Sequence, residues 1–264
     1  MATMVFFHAH PDDEAIATGG TMALAAARGH RVVLVTATRG EVGEVDDGFL
    51  NPAETLGQRR ADEAAASASI LGVARLVFLD YSDSGMMGEA TNDDPRSFWR
   101  ADIEEAVARL RAVLDAEEAD VLTIYDSHGG YGHPDHIQVH RVGSRAAEMA
   151  GTTRVYQATM NRERMKARRR TQVLSEEGDR ADVEAFYDTL GTPEAEITTA
   201  IDVREMLAVK RAAMTAHASQ IGPDSWFLTL SPAEFETSFG TEWYIRVRPP
   251  FDGSVPNDRD TFLV

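Results

Sequence analysis

The sequence predicts an α/β fold: a Rossmann-like, mostly parallel sheet with helices on both faces and a C-terminal elaboration. Three observations predict it. Short apolar, β-rich runs alternate with helix-like stretches. Those runs lack clean polar alternation, as strands buried on both faces do. Two clusters of ionisable residues follow such runs, at the strand ends where open α/β sheets bind ligands.

"MVFFHAH" reads as strand one, and "AIATGGTMALAAARG" as a helix closed by Gly29. "RVVLVTAT" is strand two, and "PAETLGQRRADEAAASASILG" a helix ending at Gly72. "RLVFLDY" is strand three, "FWRADIEEAVARLRAVLDAE" a helix, and "DVLTIYD" strand four. "PDHIQVHRVGSRAAEMAG" is a helix and "RVYQATM" strand five. Beyond these, "EITTAIDV" reads as a strand, "REMLAVKRAAMTAHASQ" as a helix, and "EWYIRVRP" as a late strand at a sheet edge. Two long loops, residues 39–53 and 81–97, leave the carboxyl ends of strands two and three. Loops of that length in a compact domain are often functional. No linker divides the chain, so a single domain over 1–264 is expected, with a core of about 4–220 and an elaboration of about 221–264.

Composition is ordinary for a globular domain, at 43% hydrophobic and 26% charged. The formal net charge of −17 argues against nucleic acid or an anionic membrane as partner. With no cysteine, any metal must be held by His, Asp or Glu. No run reaches the roughly 18 apolar residues of a membrane span, and no signal peptide is readable. A cytoplasmic protein is the expectation. Oligomeric state is not readable.

The first cluster is "HAHPDDEAIATGG", residues 8–20. His8 and His10 lie two apart on a strand and face one side. Pro11 suits the first turn of a helix, which then holds Asp12, Asp13 and Glu14. One reading is capping, in which acidic side chains satisfy free N–H groups and the helix dipole. The other is a metal site, with His10 giving a nitrogen, Asp13 an oxygen, and the second aspartate free to act as a base. His8 reads as a packed strand histidine.

The second cluster, "YDSHGGYGHPDH" at residues 125–136, closes strand four in the same manner. His133, Asp135 and His136 surround a proline at a helix start; His140 follows one turn on, and His128 belongs to the loop. If strands one and four are neighbours, the clusters face each other. His10, Asp13 and His136 then form a two-histidine, one-carboxylate zinc site with an open position.

"AHPDDE" with "HPDH" resembles the PIG-L/LmbE superfamily of zinc-dependent N-deacetylases. The resemblance continues in "RADEAAASASILGV" (60–73), "DSGM" (83–86) and "KRAAMTAHASQ" (210–220). "TRGEVGE", "YSDSGMMG" and "GGYGHPDH" look closest to the actinobacterial branch. That branch holds the N-acetylglucosaminyl-inositol deacetylase of mycothiol synthesis and the mycothiol S-conjugate amidase. The resemblance implies that His10, Asp13 and His136 bind Zn2+, a set that also accepts Fe2+. It implies Asp12 as general base, and His133 as the group that stabilises the oxyanion and protonates the leaving amine. Asp135 would orient His133 and raise its pKa, and Tyr131 would help polarise the carbonyl. Arg60, Asp83 and Glu44 match positions near the sugar pocket. The reaction the resemblance implies is removal of the N-acetyl group from a small N-acetylglucosamine-type substrate, such as N-acetylglucosaminyl-inositol or a related glycoconjugate, through metal-activated water. The alternative within the family is cleavage of a larger acyl amide at the glucosamine nitrogen.

Rivals from other classes fit less well. A non-haem iron oxygenase shares the ligand set but needs no spare carboxylate beside a ligand. Nucleotide binding lacks a G-x-G-x-x-G after strand one and lacks P-loop spacing. A binding module could use the basic run "RERMKARRR" (162–170), although such runs are more often solvated helix faces.

Overall fold

The structure, a computed structural model, describes residues 1–172 and 186–249 (of 169–172, the backbone alone). The end of the basic run at 169–170 and the stretch 250–264 therefore lie outside the described side chains or residues.

Seven strands form one sheet: β1 (Thr3–His8), β2 (Arg31–Thr36), β3 (Arg75–Phe78), β4 (Val121–Tyr125), β5 (Arg154–Thr159), β6 (Thr199–Asp202) and β7 (Thr241–Arg248). Their order is β3-β2-β1-β4-β5-β7-β6. The first five strands pair in parallel, as the apolar runs predict. β7 runs antiparallel to both neighbours, β5 and β6. Here the structure corrects the sequence reading: the late strand is interior, and the short β6 takes the edge.

β1 shows why these strands lack polar alternation. Met4 and Phe6 enter one core, while Val5 and Phe7 enter the other. Each side chain is fully buried, worth about 1.5–3 kcal/mol apiece. One face is covered by helices α1 (Gly19–Ala27), α2 (Leu56–Ile70), α6 (Leu207–Ala216) and α7 (Pro232–Phe239), which contribute Met22, Leu24, Ala68, Met214 and Phe235 to that core. The other is covered by α3 (Ile103–Ala116) and α4 (Pro134–Ala150), through Val107, Leu110, Val139 and Val142. Helix α5 (Arg162–Gln172) carries the basic run. Its described side chains are engaged within the chain: Arg162 donates to the Leu190 and Gly191 carbonyls, Lys166 pairs with Asp188, and Arg168 lies over Trp226.

Some boundaries move for local reasons. α2 starts at Leu56 because Thr55 and Gln58 form a capping box. α3 starts at Ile103 because the Asp102 carboxylate accepts the Glu105 N–H. The first helix opens as a π-turn over Glu14–Thr18 before α1 begins. A buried ion pair pins this region to the end of the sheet. Glu242 on β7 accepts from the Gly20 and Thr21 amides at 2.8 Å each and from the Tyr244 hydroxyl at 3.1 Å. Lys210, fully buried, bridges that carboxylate to the Ile16 carbonyl.

β1 lies between β2 and β4, so the sheet order reverses between β1 and β4. Ligands bind outside the carboxyl ends of strands at such a point. The segments 9–13 and 126–133 both emerge there.

Candidate active site

The two clusters meet. The rings of His10 and His136 lie 5.5 Å apart between centroids, those of His10 and His133 4.6 Å, and those of His133 and His136 5.2 Å. Asp13 lies between the two predicted histidine ligands. Its Oδ2 stands 3.4 Å from His10 Nδ1 and 3.3 Å from His136 Nε2. Two ligand atoms bound to zinc at about 2.0–2.1 Å and a tetrahedral angle stand about 3.3 Å apart, and Asp13 Oδ2 stands at about that distance from each of the two histidine nitrogens. His136 Nε2 is buried and, beyond this approach to Asp13, has no hydrogen-bond partner among the described residues. A buried ring nitrogen that faces only a carboxylate ligand candidate suits a metal ligand better than a packed histidine. His10, His133 and His136 also bring ring nitrogens within 4.8 Å of one another, as do His10, Asp83 and Asp135 through a nitrogen and two carboxylate oxygens. The residues therefore fit a divalent cation.

The surroundings supply the order such a site needs. His10 Nε2 faces Asp135 Oδ2 at 3.1 Å and Asp83 Oδ1 at 3.3 Å. That is the carboxylate–histidine arrangement that fixes the tautomer of a ligand histidine. Tyr125 stacks on His136 at 4.3 Å, with its ring 10° from parallel. His8 is engaged away from the cluster: its nitrogens meet the Tyr125 hydroxyl at 2.7 Å and Thr18 Oγ1 at 2.8 Å. His140 Nδ1 meets the Tyr125 carbonyl, and His128 Nε2 meets the Gly191 carbonyl.

Local backbone places each group. Asp12 has φ +102°, a left-handed conformation that costs a non-glycine residue roughly 1–3 kcal/mol. Its carbonyl accepts the Ala15 and Ile16 amides, which starts the π-turn. In the second loop Gly129 has φ +68°, and a Cβ there would come within 2.7 Å of the His136 Cβ, so only glycine allows this close return of the chain. His133 then caps α4: its Nδ1 accepts the Asp135 N–H at 3.1 Å. In a neutral ring the proton therefore sits on Nε2.

That cap changes the expected relation between His133 and Asp135. The Asp135 carboxylate, fully buried, does not reach the His133 ring. It accepts the Ser84 amide at 2.9 Å, the Ser84 hydroxyl, and His10 Nε2. Asp135 thus orients His10. Nor is His133 raised towards imidazolium: burial, then the neighbouring His10 and His136, push it down to about 4 and outweigh Asp135. His10 behaves in the opposite way. Burial lowers it, but Asp83, Asp13 and Asp135 more than offset that and hold it well above the ordinary histidine value. For Asp12, burial outweighs the Arg60 guanidinium and pushes the carboxyl up to about 6.

The residues expected to touch sugar divide into three cases. Arg60 is buried, and its guanidinium donates to the Gly40 carbonyl at 2.8 Å, the Pro11 carbonyl at 2.6 Å and Asp12 Oδ2 at 3.3 Å. It holds the Asp12 turn in place. Gly40, at φ +66°, is what lets that guanidinium in, since a Cβ there would fall 2.2 Å from Arg60 Nη1. Asp83 also has structural work: Oδ1 accepts the Gly85 amide and Oδ2 the Val42 amide, in addition to facing His10. Glu44 is exposed, in a neighbouring cleft of about 670 Å³ lined also by Asp46, Phe49 and Gln220. Tyr131 is half-exposed, its ring 4.9 Å from that of His136, at the mouth of the site.

Sequence reasoning missed Ser84, Tyr125 and the partners of Glu14. Ser84 sits inside the quoted "DSGM", but nothing local says that its hydroxyl reaches Asp135, 51 positions on.

The GlcNAc-PI de-N-acetylase family, PIG-L, matches residues 5–147. A 1D-myo-inositol 2-acetamido-2-deoxy-alpha-D-glucopyranoside deacetylase of Acidothermus cellulolyticus is 42% identical, over 93% of this chain and 89% of its own. A protein of the same name from Salinispora arenicola is 43% identical, over 91% and 83%. Among solved structures, the N,N'-diacetylchitobiose deacetylase of Pyrococcus horikoshii has a TM-score of 0.60 at 19% identity, over 92% of this chain and 83% of that one. The 4-carboxy-2-hydroxymuconate hydratase of Pseudomonas putida KT2440 has a TM-score of 0.58 at 19% identity, over 97% and 100%. At such identity the likeness shows the fold alone, and these two carry different chemistries on it. The family match, which takes in both ionisable clusters, and the relatives at 42–43% identity along most of the chain together place the protein in the PIG-L family of de-N-acetylases.

Proposed function

We propose that this chain, a PIG-L amide hydrolase, removes the N-acetyl group from N-acetylglucosaminyl-inositol, a small soluble amino-sugar substrate, in the cytoplasm. The observation that carries the chemistry is the placement of Asp13 between His10 and His136 at zinc-ligand spacing, with Asp12 beside it. The substrate rests on the relatives of that name at 42–43% identity.

In this reading His10, Asp13 and His136 hold zinc, and the same donors accept ferrous iron. The chemistry such an ion supplies when bound is Lewis acidity, which polarises the amide carbonyl and lowers the pKa of water towards about 7. Asp12 takes a proton from the water that attacks the carbonyl carbon. It returns that proton to the leaving nitrogen, so water adds across the C–N bond and no outside acid is needed. His133 Nε2–H and the Tyr131 hydroxyl donate to the oxyanion that develops on the carbonyl oxygen. Asp135 keeps His10 in the tautomer that binds through Nδ1, and Arg60 keeps the Asp12 turn closed.

Release of acetate from N-acetylglucosaminyl-inositol by the zinc-loaded protein tests the reading. A mycothiol S-conjugate and N,N'-diacetylchitobiose serve as competing substrates. A kcat/KM for the inositol compound at least about tenfold above both supports it. A higher value for the S-conjugate would move the protein to the amidase reading. No hydrolysis of any of the three would overturn the substrate assignment.

A further inference from the structure

Glu14, the last residue of "AHPDDE", and His217, in "KRAAMTAHASQ", have no part in the chemistry described above. Both are fully buried. Glu14 does satisfy a backbone N–H at the helix start, as the capping reading has it, but it also reaches beyond its own turn. Its carboxylate turns back and accepts the Asp12 amide at 3.0 Å, ahead of the turn that Glu14 begins. Its other oxygen accepts Ser67 Oγ at 2.5 Å and His217 Nε2 at 2.6 Å. Ser67 lies on α2 and is fully buried, and His217 closes α6. The segment after His217 is fixed in turn, because the Ser219 amide and hydroxyl both donate to Glu63 on α2. One carboxylate thus ties two covering helices to the backbone of Asp12.

Asp12 needs such a tie. It is one of the few non-glycine residues with positive φ, and it holds that conformation beside the ligand turn. The peptide on its N-terminal side is held from both ends: Arg60 donates to the Pro11 carbonyl, and Glu14 accepts the Asp12 N–H. Releasing the Glu14 end lets the peptide rotate towards a common conformation, which would swing the Asp12 carboxylate away.

We propose that Glu14, anchored by Ser67 and His217, is a positioning residue that locks the Asp12 peptide and thereby aims the Asp12 carboxylate at the attacking water. This rests on the reading of Asp12 as the base. A displacement of about 1 Å in a reacting group can cost about 100-fold in rate, so Glu14→Ala should lower kcat by that order. KM and metal content stay near parent values, because neither substrate nor metal touches Glu14. The Asp12 amide loses its protection from hydrogen exchange. Glu14→Gln, whose amide oxygen can still accept the Asp12 N–H, restores both the rate and the protection to within about tenfold of the parent.

Wild-type kcat in folded, metal-loaded Glu14→Ala would overturn the proposal. So would a Glu14→Gln as slow as Glu14→Ala, or a parallel loss of kcat, KM and metal, which would mean Glu14 only supports the fold. If Glu14→Ala does not fold, Ser67→Ala decides: removing one anchor should lower kcat about 3- to 10-fold at unchanged KM and metal content, and an unchanged kcat refutes the idea. Asp12→Ala runs alongside. A fast metal-loaded Asp12→Ala removes the base reading itself, whereas a slow Asp12→Ala with a fast Glu14→Ala removes only the lock.

Discussion

Glu242→Ala probes how the end of the sheet supports its beginning. The parent carboxylate is the counter-charge of Lys210, whose side chain is 1% exposed and whose other partner is the Ile16 carbonyl. Removing one member of a buried ion pair costs about 3–5 kcal/mol, because the remaining charge stays buried. The Gly20 and Thr21 amides lose their acceptor too, at up to about 1–3 kcal/mol each where water cannot reach. Taking the middle of the ion-pair range as the floor, the loss is about 4 kcal/mol or more. At about 2–4 °C per kcal/mol for a chain of this size, the melting temperature should fall by about 8–16 °C. Thermal unfolding of the metal-loaded protein measures it. Adding Lys210→Met removes the stranded ammonium and should recover about half or more of the loss. If Glu242→Ala melted within about 2 °C of the parent, or if the second substitution recovered nothing, the burial argument would be refuted.

Metal-loaded Asp12→Ala should lose about 10²–10⁴ in kcat while keeping its metal, measured as acetate release against metal content. His136→Ala should lose the metal itself on dialysis, because it removes one donor of the set and empties the stack on Tyr125. Stripping the parent with a chelator should abolish turnover and lower the melting temperature; a site filled at about 100 times its Kd contributes about 2.7 kcal/mol. Arg60→Lys should slow turnover roughly tenfold or more, since an ammonium cannot span the Gly40 and Pro11 carbonyls together. For pH, burial lowers His217 but the Glu14 charge more than offsets this, so its folded pKa lies above the ordinary 6.5. The stability it contributes is fully present below 6.5 and lost as pH rises through the folded value. His217→Gln should therefore cost more in melting temperature at about pH 6 than at about pH 9.

Much of the fold was legible because doubly buried parallel strands are written as local apolar runs, and β1 to β5 are such runs. The candidate metal donors stood out for a related reason. Groups that resist burial stood directly after two of these runs, beside prolines that start helices. What local sequence did not reveal was non-local. β7 reads as an edge strand by composition, yet it is drawn inside by Glu242, whose partners at Gly20 and Thr21 lie 222 and 221 positions away. Asp135 stands two residues from His133, and adjacency suggested a pair. At a helix N-terminus the two side chains diverge, and Asp135 reaches Ser84 across the site instead. Arg60 matched, by resemblance alone, a position near the sugar pocket. Its carbonyl partners come from loops whose approach only the folded chain reveals.

The intercalated β7 also bears on how the molecule is assembled during synthesis. Among the described residues, β6 pairs with β7 alone, and β7 comes some forty positions later. While the ribosome is still delivering that interval, the five parallel strands can associate, but β6 has no neighbour to join and Lys210 has no carboxylate to meet. The nascent chain must therefore hold an open flank beside β5 until its final described strand emerges and closes the gap, which makes this flank the place where a chaperone or a second nascent chain would find unpaired backbone.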